Sequence, residues 1–227
     1  MAFSLDQVVP WGRSYDEYAA MFALSASDLG GCILGCGDGP AAFNSVLTQR
    51  GGRAVSADPV YQFSADEIRG RIAATYPEVM EQTRRNRQEF VWRNIASVEE
   101  LGRVRMAAMG EFLADYPAGR RERRYVAASL PELPFADGLF DLALCSHFLF
   151  LYSGQLSEDF HVQAIGEMCR VAREARVFPL LELGAVKSRH LDSILARLAS
   201  EGFDARIQAV PYEFQRGGDR MLRVSRK

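Results

Sequence analysis

The sequence of 227 residues lacks a long hydrophobic run, a large net charge and paired cysteines, and each absence excludes a class of protein. No apolar run approaches the roughly 20 residues of a transmembrane helix, and the N-terminus lacks a basic start followed by an apolar core. The formal net charge is only −2, so no overall positive potential attracts nucleic acid or an anionic membrane. We therefore expect a cytoplasmic protein that binds neither of them.

The four cysteines, Cys32, Cys36, Cys145 and Cys169, show none of the paired C-x-x-C spacing of a zinc site. We expect buried, reduced thiols and no bound metal. Cys36 stands inside a glycine-rich turn, where a bound ligand would protect its thiol from alkylating agents. The composition is otherwise ordinary, with 48% hydrophobic and 25% charged residues, and predicts a single domain over residues 1–227.

The glycine-rich turn follows a short apolar run, Cys32–Leu34, and precedes a helix-like segment, Ala41–Gln49. Its glycines are Gly35, Gly37 and Gly39. A side chain at these positions would block the sharp turn and the close approach of a ligand to the backbone. The order of strand, glycine turn and helix is typical of a nucleotide-binding βαβ unit.

A second apolar run, Arg53–Ala57, ends at Asp58, roughly 20 residues past the turn. Nucleotide-binding units carry an acid at this position, which accepts hydrogen bonds from ribose hydroxyls. The turn and the acid together predict a pocket for an adenosine-bearing cofactor. Its contacts are predicted to come from six residues: Gly35, Cys36, Gly37, Gly39, Asp58 and Pro59.

The spacing of the glycines distinguishes between cofactors. The dinucleotide fingerprint is Gly-x-Gly-x-x-Gly, and Pro40 stands where its third glycine would be. The spacing instead resembles motif I of the class I S-adenosylmethionine-dependent methyltransferases, of the methyltransferase type 11 kind. Ile33 departs from that family, which often has an acid there. The resemblance implies S-adenosyl-L-methionine as the cofactor and identifies no subfamily.

A second stretch, Ser129–Ser146, resembles the same family. It contains Leu-Pro-Phe at 133–135, a turn at 137–138 and Phe-Asp-Leu at 140–142 before an apolar strand. Ser129 stands where the family usually has Asp. The resemblance implies that Ser129 and Leu130 contact the adenine, the first through its hydroxyl or backbone and the second through its aliphatic side chain.

The order of the segments predicts an α/β fold. Further strands are predicted at Tyr125–Ala128, Leu142–Cys145, Ala175–Leu183, Ala205–Val210 and Arg220–Ser225, and further helices at 15–24, 158–172 and 189–201. The resemblance implies a three-layer, doubly wound, seven-stranded and mostly parallel sheet of the Rossmann-like methyltransferase type. It also implies the strand order 3-2-1-4-5-7-6, which ends in an antiparallel C-terminal hairpin.

Residues 62–124 contain no convincing strand and form a predicted helical insertion between the second and third strands. Helices are predicted at Asp66–Ala74, Tyr76–Ile95 and Val98–Tyr116, with breaks at Pro77 and at residues 117–119. Interleaved arginines and acids indicate a solvated helix face. A substrate lid, a homodimer contact and a surface for an anionic partner remain alternatives.

The carboxyl end of the predicted fourth strand carries the candidate acceptor-side residues, because ligands bind at that edge of an open α/β sheet. His147 is the candidate general base, since an imidazole titrates near neutral pH. Tyr152 is a candidate hydrogen-bonding partner of the acceptor, and Ser146 is predicted to contact the cofactor. Arg13 is predicted to pair with the cofactor's methionine carboxylate, because a guanidinium forks onto a carboxylate.

The resemblance implies a methyltransferase. An aromatic cluster, Phe148, Phe150 and Tyr152, favours a small-molecule acceptor over a nucleic acid. One alternative is a non-catalytic module that binds S-adenosylmethionine or S-adenosylhomocysteine and regulates a partner, and the absent acids at Ile33 and Ser129 keep it open. The other is a nicotinamide-dependent oxidoreductase, which the Leu-Pro-Phe segment opposes.

Calorimetric titration separates these alternatives. We expect micromolar binding of S-adenosylmethionine and S-adenosylhomocysteine and no binding of NADH. An Asp58→Ala variant should bind S-adenosylmethionine at least tenfold more weakly, a loss of about 1.4 kcal/mol, because the ribose hydroxyls lose their acceptor. Undiminished affinity in this variant would show that the ribose contact has been misplaced.

Overall fold

A computed structural model describes residues 9–227. The helices are α1 (Tyr15–Met21), α2 (Ala26–Gly30), α3 (Phe43–Gln49), α4 (Ala65–Arg85), α5 (Val98–Arg121), α6 (Glu158–Val171) and α7 (Leu191–Ser200). The strands are β1 (Cys32–Cys36), β2 (Arg53–Ala57), β3 (Tyr125–Val126), β4 (Phe140–Ser146), β5 (Ala172–Phe178), β6 (Leu181–Glu182), β7 (Val186–Lys187), β8 (Phe203–Ala209) and β9 (Arg220–Arg226). In this part of the chain, no helix has the length and apolar character needed to cross a membrane.

Seven strands form one sheet in the order β3-β2-β1-β4-β5-β9-β8. β1 pairs in parallel with both β2 and β4, so that Ile33 lies beside Ala54 on one side and Leu142 on the other. β9 runs antiparallel to β5 and to β8, which closes the sheet with a hairpin. The predicted α/β class, strand order and C-terminal hairpin are confirmed. β6 and β7 form a separate two-stranded ribbon.

Helices cover both faces of the sheet, and the central strand alternates between two apolar cores. Leu34 belongs to a buried cluster with Ile165 of α6 and Leu198 of α7. Its neighbour Ile33 belongs to a second cluster with Phe43 of α3, on the opposite face. Successive side chains of a strand point to opposite faces, so a run buried on both sides must be apolar throughout. The three-layer arrangement follows from this pattern.

The segment between β2 and β3 contains two long helices rather than three shorter ones. α4 continues through Pro77 and α5 continues through Pro117, so the two predicted breaks are wrong. α4 also ends at Arg85, ten residues before the predicted end at Ile95. A proline inside a helix costs about 3 kcal/mol. Here the helices pack against each other and against the domain, which offsets that cost.

The bounds of β3 and β5 also differ from the prediction. β3 ends at Val126 rather than at Ala128. β5 spans Ala172–Phe178 and stops before Pro179, whereas the prediction was Ala175–Leu183. The proline ring lacks the N–H that a ladder needs, so the strand ends where the proline begins.

An aromatic cluster fixes the helical segment to the sheet. Tyr61, Phe112, Tyr116 and Tyr125 pack together in one buried group. The Tyr116 hydroxyl donates to the Tyr61 carbonyl at 2.9 Å, close after the carboxyl end of β2. α5 is therefore held across the edge of the sheet where the ends of β1, β2 and β4 meet.

Asp38 is a buried carboxylate under the glycine turn. It accepts hydrogen bonds from the Tyr18 hydroxyl at 2.9 Å and the Ser56 hydroxyl at 2.7 Å. A Cβ at Gly35 would lie 1.7 Å from its carboxylate oxygen, so only glycine fits above it. Burial raises the pKa of Asp38 from 3.8 to about 6.

The pKa of Asp38 predicts a pH-dependent stability. The folded chain binds a proton between pH 6 and 4 that the unfolded chain does not, so Asp38 lowers stability above pH 6 and this penalty disappears towards pH 4. An Asp38→Asn variant should be more stable than the wild type at pH 7, by about 2 to 3 kcal/mol at most, with the gain falling to roughly a third by pH 4.5. Urea denaturation at the two pH values measures this difference. Asp16→Asn, at an exposed position of α1, is the control and should show no such gain.

Candidate functional site

The first cavity lies beside the glycine turn, at the carboxyl ends of the parallel strands, and has a volume of about 280 Å³. Six of the predicted cofactor contacts line it together: Gly37, Gly39, Asp58, Pro59, Ser129 and Leu130. The wall also includes Phe148, which follows β4, and Phe63 and Arg71, which follow β2. Residues far apart in sequence meet here because their strands end at one edge of the sheet.

Asp58 points towards the glycine turn. One carboxylate oxygen accepts a hydrogen bond from the Gly39 amide at 2.8 Å, and the other accepts one from the Val60 amide, also at 2.8 Å. Gly37 and Gly39 have φ values of +67° and +53°, in the left-handed region that favours glycine. The Tyr61 hydroxyl donates to the Gly39 carbonyl at 2.7 Å. The turn and Asp58 are therefore one rigid unit beside an open cavity.

The second cavity has a volume of about 80 Å³ and lies beyond Val9, which lines both cavities. His147 and Tyr152, the two predicted acceptor-side residues, both line it. The helices between β2 and β3 supply part of its wall: Val79 and Thr83 from α4, and Leu101 and Arg105 from α5. Its remaining wall includes Trp11, Arg13, Glu89, Phe90, Leu151, Leu183, Phe214 and Gln215.

Two guanidinium groups line the second cavity. Arg105 is 1% exposed and donates to the Glu17 carboxylate at 2.6 Å, while the other Glu17 oxygen accepts from the Tyr212 hydroxyl at 2.8 Å. Burial opposes the charge of Glu17, but Arg105 outweighs it and lowers the pKa of Glu17 to about 2. Glu17 and Arg105 therefore form a buried, hydrogen-bonded ion pair.

Arg13 has no such partner. Its guanidinium donates to the Trp11 carbonyl at 2.5 Å, and it forms no ion pair with any described residue. Burial, and then the charge of Arg105, lowers the pKa of Arg13 to about 10. Within residues 9–227, the Nε atoms of Arg13 and Arg105 are buried without a hydrogen-bond partner. Arg13 thus brings to the second cavity a positive charge that pairs with no described residue, and each of the two arginines has an unused Nε donor.

His147 stands at the end of β4 with an unusual backbone. Its φ is +52°, a strained value for a non-glycine residue, and its amide donates to the Phe178 carbonyl at 2.6 Å. Burial, followed by the charges of Arg13 and Arg105, lowers the pKa of His147 well below 6.5. The imidazole is therefore neutral at physiological pH, and the same surroundings make it a weaker base than a free histidine.

Ser146 orients that imidazole. Its hydroxyl lies 2.9 Å from His147 Nδ1, and on its other side it has the Met21 sulfur at 3.9 Å and the Tyr18 hydroxyl as acceptors. When Nδ1 carries the imidazole proton and donates it to Ser146, Nε2 is the ring nitrogen that can act as the base. Tyr18 in turn donates to Asp38, so a hydrogen-bonded chain links His147 to the carboxylate under the glycine turn.

Four predicted cofactor contacts lie outside the first cavity. Gly35 packs on Asp38, the Cys36 side chain is fully buried in the core, and Ser146 supports His147. Arg13 lines the second cavity instead. Their predicted contacts with a cofactor stay predictions.

Sequence reasoning missed the part of the site that contains Glu17 and Arg105. The spacing Ser14-x-x-Glu17 signals a capping box, which is present, but that pattern does not show that Glu17 also binds Arg105, 88 residues away. Arg105 lies among many arginines of the same region, and no local signal distinguishes the buried one. Within the described residues, no group of three or more His, Cys, Asp or Glu side chains could hold a metal ion.

Comparison with solved structures defines the class of fold. The structure of magnesium protoporphyrin IX methyltransferase from Synechocystis PCC 6803 with bound SAH matches with a TM-score of 0.50 and 15% sequence identity, over 94% of this chain and 81% of that chain. This chain has the fold of the class I S-adenosylmethionine-dependent methyltransferases. The predicted Rossmann-like methyltransferase fold is thereby confirmed.

One relative has a sequence similar enough to define a family. Uncharacterized protein MJ0045 of Methanocaldococcus jannaschii is 32% identical over 225 residues, which cover 98% of each chain. The chain belongs to the same family as this archaeal protein. No family model matches the sequence.

The position of Cys36 corrects the expectation of a ligand-protected thiol. The residue is 0% exposed, and burial raises the pKa of its thiol well above 9. We predict that iodoacetamide at pH 7.5 modifies the partly exposed Cys32 first and leaves Cys36 unmodified, with or without S-adenosylhomocysteine. Mass spectrometry of the digested protein measures both sites. Rapid modification of Cys36 that S-adenosylhomocysteine prevents would contradict the buried position.

Proposed function

We propose that the protein is an S-adenosyl-L-methionine-dependent methyltransferase that acts on a small-molecule acceptor. The observation that carries the proposal is the first cavity, where the glycine turn and the Asp58 carboxylate meet beside Ser129 and Leu130. The family resemblance of both sequence motifs and the class of fold support the same function. The neighbouring second cavity supplies a place for the acceptor.

The residues that line the first cavity each suit a part of an adenosine-bearing ligand. Asp58 is placed to accept hydrogen bonds from ribose hydroxyls, because each of its oxygens has lone pairs left after binding one amide. Leu130 is buried at the other end and offers an apolar surface to the adenine, beside the Ser129 hydroxyl. Gly37 and Gly39 leave the backbone open to close approach. Pro59 adds to the ribose side of the wall.

The first helix after the turn is poorly suited to a dinucleotide. A pyrophosphate binds the unpaired amides at a helix N-terminus. Here the Ala42 amide, just before α3, donates to the Arg13 carbonyl at 3.0 Å. A Cβ at Gly12 would lie 2.0 Å from the Pro40 carbonyl oxygen, so the N-terminal segment packs directly on this part of the turn. These contacts favour S-adenosylmethionine over a nicotinamide dinucleotide.

S-adenosyl-L-methionine supplies a methyl group on a sulfonium, which is already a good leaving group. The protein then has to orient the acceptor, exclude water and remove a proton where the acceptor carries one. The neutral His147 is placed to take that proton on Nε2, with Ser146 holding the ring. Transfer of the methyl group to the acceptor's nucleophile would break the carbon–sulfur bond and leave S-adenosylhomocysteine as the product.

Tyr152 and the helices α4 and α5 are assigned from their positions in the wall of the second cavity. Tyr152 is buried there, and its hydroxyl accepts a hydrogen bond from the Val9 backbone. Its side chain forms part of the wall and can also bind the acceptor. We assign α4 and α5, within the predicted insertion at residues 62–124, to the acceptor side because they line this cavity. A homodimer contact through the same segment, and a cytoplasmic location, stay predictions.

The proposal predicts turnover that depends on His147. The wild type should convert S-adenosylmethionine to S-adenosylhomocysteine with members of a panel of small phenols, amines and carboxylic acids. His147→Asn, which tolerates the positive φ, should lower the rate about 100-fold or more and leave cofactor affinity unchanged. The wild-type rate should hold down to pH 6 and below, because His147 protonates only well under its usual pKa.

The matched control is Asp58→Ala, which should lose cofactor binding together with turnover. Tight binding of both cofactor forms without any turnover across the panel would favour the non-catalytic alternative. A rate that survives in His147→Asn would remove His147 from the mechanism.

A further inference from the structure

The two arginines of the second cavity differ in their ion pairs. Glu17 neutralises Arg105, and within the described residues Arg13 forms no ion pair. Burial, and after it the charge of Arg105, lowers the pKa of Arg13. Two buried guanidinium groups that repel each other are costly unless an anion binds between or beside them.

Each of the two arginines that line the second cavity also has an unused donor. The Nε atoms of Arg13 and Arg105 are both buried and have no hydrogen-bond partner among the described residues. A buried donor without a partner is destabilising, because it has lost its hydrogen bonds to water. A carboxylate with two oxygens can accept from both groups, because guanidinium N–H groups bind carboxylates in a forked geometry.

The rest of the wall limits the size and nature of the ligand. Trp11, Phe90, Phe214 and Tyr152 surround the two arginines with aromatic surface. The volume of about 80 Å³ is less than a third of that of the first cavity, about 280 Å³. The wall also contains one half-buried acid, Glu89, which would favour a cation at its own position.

We propose that the methyl acceptor is a small aromatic or otherwise planar molecule carrying one carboxylate, which Arg13 and Arg105 bind in the second cavity. The assignment rests on the proposed methyltransferase function. Glu17 and Glu89 already place two negative charges beside Arg13 and Arg105, so a singly charged carboxylate fits better than a doubly charged phosphate ester. Arg13 then binds the acceptor. The sequence had instead suggested that Arg13 pairs with the methionine carboxylate of the cofactor. His147 lines the same cavity, so the carboxylate would hold the acceptor's nucleophile within reach of the base.

Matched pairs of probes test the charge requirement. Benzoate and benzamide have the same shape but differ in charge, and acetate and acetamide form a smaller pair. Calorimetric titration of the full chain, at low salt and saturated with S-adenosylhomocysteine, should show at least tenfold tighter binding of one carboxylate than of its amide. Benzylamine, the cationic analogue, should bind more weakly than benzoate.

Variants locate the interaction. Arg13→Gln should abolish the advantage of the carboxylate, whereas Arg13→Lys should retain part of it. Arg103→Gln removes an exposed charge from the same helix as Arg105 and is the matched control, with no expected change. Arg13 is the better test position than Arg105, because removing Arg105 would leave Glu17 buried and unpaired.

Three results would overturn the proposal. The first is that neither carboxylate binds more tightly than its amide, and the second is that benzylamine binds best. The third is that Arg13→Gln weakens S-adenosylhomocysteine and leaves carboxylate binding intact, which would assign Arg13 to the cofactor. These results can be told apart from a failure of the proposed methyltransferase function. Carboxylate binding without cofactor reports on the second cavity alone, and so does carboxylate binding to the Asp58→Ala variant.

Discussion

The hydrogen bond from the Gly39 amide to the Asp58 carboxylate, 2.8 Å long, is the contact on which the site depends. It joins the turn after β1 to the end of β2, and two positive-φ glycines allow the turn to bend towards it. Burial raises the pKa of Asp58, and the amides of Gly39 and Val60 oppose that rise by binding the charged form. The same carboxylate thus stabilises the turn and faces the first cavity. Loss of this contact would remove the hydrogen bond that holds the turn in place beside the first cavity.

A second set of polar groups lies beneath the turn and connects the two cavities. Asp38 binds Tyr18 of α1 and Ser56 of β2, and Tyr18 leads through Ser146 to His147. Buried polar groups need partners, and each member of this chain supplies one for the next. The orientation of the candidate base is therefore tied to the same loop that forms the cofactor pocket. α1, which the sequence presents as a simple capped helix, is the element that makes this connection.

The helices between β2 and β3 give the site its particular character. A doubly wound sheet needs only a short crossover there, and a shorter connection would leave the second cavity without much of its wall. α4 and α5 bring Val79, Thr83, Leu101 and Arg105 to the edge where ligands bind. The fold brings both cavities to one edge of the sheet, and this segment supplies part of the wall of the second cavity. Function on a common fold lies in such additions.

The sequence by itself determined the sheet and the cofactor side of the site, because both depend on local patterns. Apolar runs, a glycine turn and an acid at a set distance predicted that Gly37, Gly39 and Asp58 would meet, and they do. Only the tertiary structure decided the acceptor side. Arg105 reaches Glu17 across 88 residues, because α5 continues through Pro117 and packs across the sheet edge. Such pairings depend on the paths of whole helices through space, and no spacing along the chain records them.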